Sequence, residues 1–211
     1  TEFRIFNITA GSVSFNNLTI SNGNTSGTNA GGGVLFATGT SVTFTACVIT
    51  NNTANEGGGL DGSGNLTMIN CSITNNTTGG STVGGGLGIY PPANVVLTGC
   101  TISDNSNGEG GAALDFRGGG GGNTTLLATN CTISGNSQVG YISPNAEHTG
   151  SLINCTISDN GIGISNFNGS VTIKNTIVAD NAFDITEPIN VSSSYNLIGT
   201  GGSGGLANGV N

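Results

Sequence analysis

Gly99-Cys100-Thr101-Ile102-Ser103-Asp104-Asn105 lies near the middle of the 211-residue chain, and its cysteine-led core returns four times. The copies are Cys47-Val-Ile-Thr, Cys71-Ser-Ile-Thr, Cys131-Thr-Ile-Ser and Cys155-Thr-Ile-Ser, so that successive cysteines are 24, 29, 31 and 24 residues apart. Leu18-Thr-Ile-Ser fills the same slot upstream and Asn175-Thr-Ile-Val downstream, which carries the repeat through almost the whole chain. Self-similarity on this period marks a solenoid, in which each residue type lies above its own copy one coil earlier.

Within a copy, alternation with period two puts the Cys, the central Ile and a later Asn on one face and Thr or Ser on the other. Asn52, Asn76, Asn105, Asn136 and Asn160 each stand five residues beyond a cysteine, and Asn181 follows the last copy one residue later. Short β-branched runs precede the copies at Val42 to Phe44, Leu66 to Ile69, Val95 to Leu97, Leu126 to Ala128 and Val171 to Ile173. Glycine clusters at Gly31 to Gly33, Gly57 to Gly59, Gly84 to Gly86 and Gly110 to Gly111 precede four of them. With about three short strands per coil and no helical period, the pattern predicts an all-β, single-stranded parallel β-helix. Composition is uniform, so one domain over residues 1–211 is expected. About eight coils at about 4.8 Å each give a rod roughly 40 Å long.

Stacking turns the recurring residues into ladders. A column of Ile20, Ile49, Ile73, Ile102, Ile133, Ile157 and Ile177 is expected to fill the interior, and an asparagine ladder to satisfy buried polar groups that otherwise cost about 1–3 kcal/mol each. Stacked glycines permit a positive φ at a corner and close approach of opposite walls. The longer coils are explained by loops at Thr77 to Val83 and Gly118 to Asn123. Cys47, Cys71, Cys100, Cys131 and Cys155 fall in one inward column, about 4.8 Å apart, wider than the 3.5–4.5 Å between Cβ atoms that a disulfide prefers. They are expected to be free thiols serving as small hydrophobes.

Composition excludes whole classes. The net charge is −8 with only three Lys and Arg, which cannot form the cationic footprint of a nucleic-acid binder. No apolar run is long enough for a transmembrane helix. Collagen and acidic disorder fail on the absence of a Gly period and on the aliphatic content. A zinc site would want paired Cys motifs or several His, and the single histidine, His148, falls in an irregular stretch, Ser143 to Gly150, that reads as a surface loop. No cofactor is expected; adventitious calcium would associate near Asp104, Asp159, Asp180 or Asp184.

No catalytic set is legible, and the chain reads as non-enzymatic. The main rival is a carbohydrate-active enzyme, lyase or glycosidase, for which convergent carboxylates near Asp104, Asp115 and Asp159 would argue. Asp104 and Asp159 share a slot two coils apart, about 10 Å, marginal for a glycosidase pair. The outward face of the repeat, with Thr19, Thr50, Thr74, Thr101, Thr132 and Thr156, is a candidate surface for a glycan or other ligand, and, as a second alternative, for ice. Unpaired backbone at each end of the solenoid invites self-association, and head-to-tail contact would build a filament.

The alternation of Thr-Ile-Ser-x-Asn with Gly-Gly-Gly-aliphatic resembles the right-handed parallel β-helix repeats of large bacterial surface proteins, including the polymorphic outer-membrane type. Asn175-Thr-Ile-Val-Ala-Asp-Asn181 and Tyr195-Asn-Leu-Ile-Gly199, followed by Gly-rich sequence to Asn211, resemble more specifically the choice-of-anchor Q group. The resemblance implies a right-handed helix in an extracellular or bacterial cell-surface protein, serving as stalk, adhesin or structural element. It assigns no catalytic residue. It further implies that the chain is a segment of a longer protein with an anchoring region beyond it.

Overall fold

The computed structural model describes residues 2–79, 84–107, 111–118, 121–143 and 146–206. Every strand pairs in parallel with its copies one coil away, giving three long ladders and a short fourth. Among the described residues the first wall has eight strands, from Phe6–Ile8 to Phe183–Ile185, and the second has seven, from Ser12–Asn16 to Ser170–Lys174. The third has eight, from Thr19–Ser21 to Leu197–Ile198, and there is no helix. The fold is therefore the all-β parallel solenoid that the repeat implied. The fourth wall was not legible: Asn24–Ala30, Thr53–Glu56, Thr77–Thr78 and Ser106–Asn107 pair beside the third wall. Thr77 and Thr78, read as the start of an inserted loop, belong to it, while residues 80–83, 108–110 and 119–120 of the expected loops and glycine cluster lie outside the described residues.

Strands this short need sharp corners, and the sequence supplies them with residues that tolerate the left-handed conformation. Between the second and third walls, Asn17, Ala46, Asn70, Gly99, Asn130, Asn154, Asn175 and Tyr195 all have φ of 48–64°. Leaving the third wall, Asn22, Asn51, Asn75, Asp104, Gly135, Asp159 and Asp180 have φ of 54–67°. Asn and Asp visit this region at least cost among residues with a Cβ. The glycine clusters had been expected to supply the positive φ; within them only Gly31 and Gly57 among the described residues do so.

The core is built of columns in register. Ile20, Ile49, Ile73, Ile102, Ile133 and Ile157 stack along the third wall and are at most 1% exposed. Ile177 does not join them: it pairs with Thr156 and is 41% exposed, and Val178 takes the inward place beside Ile157. The last copy is offset by one because buried Thr176, not Asn175, occupies the cysteine slot, and its Oγ1 accepts the Cys155 N–H. Side-chain size is matched across walls, as where Gly150 on the second wall leaves room for the Tyr141 ring from the first. Truncating Ile102 to Ala in the middle of its column should cost about 2–5 kcal/mol, read as a lowered urea midpoint with an unchanged slope.

Candidate functional site

Three features could carry function: the interior ladders, the hydroxyl face and a group of buried charges. The ladder asparagines leave the third wall at its left-handed corner and turn inward. The backbone N–H and Nδ2 of Asn52 both donate to Oδ1 of Asn76, at 3.1 and 3.0 Å. The same pair of bonds joins Asn76 to Asn105, Asn105 to Asn136, Asn136 to Asn160 and Asn160 to Asn181, at 2.9–3.1 Å. Each Nδ2 also donates to an isoleucine carbonyl one coil back, from Ile20 under Asn52 to Ile157 under Asn181. The Gly23 N–H donates into the first asparagine, and Asp184 Oδ1 accepts from the N–H and Nδ2 of the last. The glycine column lies opposite: a Cβ on Gly59 or Gly86 would come within 3.2 Å of the Asn76 or Asn105 amide and within 2.8 Å of a backbone carbonyl in the next coil. Cys47, Cys71, Cys100, Cys131 and Cys155 stack at the entrance to the third wall, all buried and free.

The hydroxyl residues face outward on the third wall in two ranks. Thr19, Thr101, Thr132 and Thr156 share the first with Val48 and Ser72; Thr50 and Thr74 share the second with Ser21, Ser103, Ser134 and Ser158. Thr74 donates across the rungs to Thr50 at 3.3 Å. No strand of the second or third wall contains an Asp, Glu or Arg, and Lys174 is the sole cation in them. The first rank ends in exposed Ile177 and Leu197.

Charge collects instead on the outer side of the first wall. There Leu35, Asp61, Gly88, Asp115 and Ile142 lie in register, so Asp61 and Asp115 stand two coils, about 10 Å, apart. They are 4% and 1% exposed. Arg117 pairs with Asp115 at 2.7 Å, and the Tyr90 hydroxyl donates to Glu56 at 2.8 Å. Arg4, held by the carbonyls of Ala30 and Gly31, acts on Asp61 through its charge. Two of the chain's three cations thus serve this one group. Burial pushes Asp61 up to about 7, with Glu56 adding to the shift, and pushes Asp115 up to about 7 against the pull of Arg117. Asp61 Oδ1, Asp115 Oδ1 and Arg117 Nε find no hydrogen-bond partner among the described residues.

Asp61 was missed in the sequence. The signal was available: aligning Gly57-Gly-Gly-Leu60-Asp61 with Gly84-Gly-Gly-Leu87-Gly88 and with Leu114-Asp115 puts both carboxyls in one column. Asp104 and Asp159 lie elsewhere, on exposed left-handed turns, and do not converge with Asp115. Among the described residues no three His, Cys, Asp or Glu are placed to hold a metal ion. A concavity between the first and second walls, lined by Thr38, Gly39, Gly64, Asn65, Pro92 and Asn123, holds no titratable group.

His148 is the clearest correction. It is not a surface loop residue: it opens the strand His148–Ile153, is 1% exposed, and stacks on Phe116 with ring centroids 4.5 Å apart. The Tyr141 hydroxyl bonds its Nε2, while Nδ1 has no partner. The irregular stretch misled because two of its polar residues, Ser143 and His148, face inward while Glu147 and Thr149 are exposed; residues 144–145 lie outside the described ones. Burial pushes His148 down to about 4.

The family model of the right-handed β-helix region matches residues 5–147. No curated protein and no solved structure matches the chain.

Two measurements follow. Asn105→Ala strands the Asn76 N–H, takes one acceptor from Asn76 Nδ2 and opens the ladder at its centre; with unsatisfied groups costing about 1–3 kcal/mol each, a loss of several kcal/mol is expected in chemical denaturation. Thermal unfolding against pH checks the buried charges. Asp61 and Asp115 bind protons more tightly folded than unfolded, so their contribution is full below about pH 4 and is lost as pH rises to about 7. His148 works the other way: its contribution is full above pH 6.5 and is lost as pH falls to about 4. Asp61→Asn with Asp115→Asn should remove the loss on the alkaline side and leave the acid side unchanged.

Proposed function

The chain belongs to the right-handed β-helix family, and we propose that it is a non-catalytic, rigid stem of an extracellular or bacterial cell-surface protein that presents its second and third walls to a neutral glycan. One observation carries the reading: in a chain of net charge −8, the fifteen strands of two adjoining walls among the described residues carry no acidic residue. Such a surface offers hydroxyl donors and acceptors at every rung, without the desolvation cost of charge. The C-terminal motifs Asn175 to Asn181 and Tyr195 to Gly199, with their likeness to the choice-of-anchor Q group, support a surface setting.

The edge of the strand Phe183–Ile185 is engaged by the segment that follows it. At the last coil of the first wall, Asp184 N–H already donates to the Gly201 carbonyl and Ile189 N–H to that of Gly204, both at 2.9 Å. An incoming coil would have to displace these bonds.

A second reading, glycoside chemistry on the first wall, is favoured by the Asp61 and Asp115 pair, whose spacing falls near that of inverting glycosidases. Their burial speaks against access by a polymer. Co-sedimentation with insoluble neutral polysaccharides, paired with an assay for new reducing ends, separates the two. The stem predicts retention on at least one polymer, no new reducing ends, and loss of retention in Thr101→Glu with Thr132→Glu. Reducing ends that vanish in Asp61→Asn would establish the enzyme instead, and absence of retention on any polymer would remove the glycan contact.

A further inference from the structure

The five cysteines are more regular than a hydrophobic column requires. Every sulfur lies against the carbonyl two residues back in its own coil: Thr45 for Cys47 and Ile69 for Cys71 at 3.3 Å, Thr98 for Cys100 at 3.5 Å, and Thr129 for Cys131 and Ile153 for Cys155 at 3.4 Å. Cys47, Cys100 and Cys155 also reach the carbonyls of Phe15, Met68 and Ala128 in the coil below, at 3.5–3.6 Å. One rotamer therefore repeats through five consecutive rungs, and the sulfurs inherit the rung spacing of about 4.8 Å. That gap, which the Cβ atoms share, is wider than the 3.5–4.5 Å a disulfide prefers, so neighbouring thiols pair only with backbone movement. It is close to two metal–sulfur bonds of about 2.3 Å laid end to end.

We propose that the column is a binding site for thiophilic monovalent cations, silver(I) or copper(I), each bridging two sulfurs of adjacent coils in linear coordination. Soft thiolate and thiol ligands select this class of ion, and linear geometry is the one a straight column can offer. Zinc does not fit on the same ground, since among the described residues no third or fourth ligand converges. In the 1–3% exposed interior a net charge would be costly. The neutral unit is one cation held by one thiolate and one thiol: one S–H bond breaks, its proton leaves to solvent, two metal–sulfur bonds form, and no electrons are transferred. Five sulfurs taken in pairs admit two ions.

Silver(I) titrated into the full chain in chloride-free buffer, followed by native mass spectrometry and circular dichroism, tests the site. The expected result is two bound ions per chain, one proton released for each, an unchanged β spectrum and no zinc uptake under the same conditions. Cys71→Ala with Cys131→Ala should lower the count to none, because no two adjacent rungs then carry sulfur; Cys47→Ala, which leaves two pairs intact, should keep both ions and controls for damage to the core. No silver bound by the folded chain, binding only as the β spectrum is lost, or full stoichiometry in the double variant would each overturn the proposal.

Discussion

The asparagine ladder constrains everything around it. Each inward amide must meet three demands at once: its oxygen takes two N–H groups from the coil below, and its nitrogen gives to the coil above and to an isoleucine carbonyl beneath. This works only if consecutive coils hold identical backbone geometry at that corner, so the ladder forbids insertions there. Length variation is pushed to other corners, and the spacing of 31 residues between Cys100 and Cys131 sits beside one of 24 without disturbing the ladder. The glycine column follows from the same constraint, because Gly59 and Gly86 meet both the amide and the next coil's carbonyl at distances no Cβ can occupy.

The corners divide the labour between backbone and side chain. Where the second wall meets the third, the residue before the cysteine slot is left-handed, and it is Asn, Gly or Ala in every described coil but the last, where Tyr195 stands. Where the third wall ends, the left-handed residue immediately precedes the ladder asparagine, so the pair Asn75 and Asn76, or Asp104 and Asn105, uses one residue for the bend and the next for the bond. The exposed aspartates of that turn are thus explained by backbone conformation, with no catalytic role needed.

The fold was legible because a solenoid writes its period into the sequence. Cys, Ile and Asn at fixed spacing gave the inward face, and the absence of a helical period left one architecture. What escaped was of two kinds. Copies aligned by residue type mislead when a slot changes identity: Ile177 looked like the seventh isoleucine of its column, but Thr176 had taken the cysteine position and moved the register by one. Polar residues also read as surface by default. His148 and Asp61 are inside because neighbouring coils supply an aromatic stack in one case and a pair of arginines in the other, and these contacts span a full coil or more of sequence. The charged group became visible only when Asp61 and Asp115 were seen on one wall with an unoccupied glycine position between them.

The ladder also has a direction. Every side-chain amide points its oxygen toward the first coil and its nitrogen toward the last, as the peptide groups of an α-helix do, and aligned dipoles of that kind sum to partial charges at the two ends. The positive end lies at Asn181, where the Asp184 carboxylate accepts both N–H groups and ties its other oxygen to Gly201. With no helix among its described residues, the chain thereby acquires a helix-like macrodipole running along its axis, closed at one end by an anion and at the other by the neutral Gly23 amide. The two ends of the rod are electrically unlike, and rods brought side by side would favour antiparallel alignment.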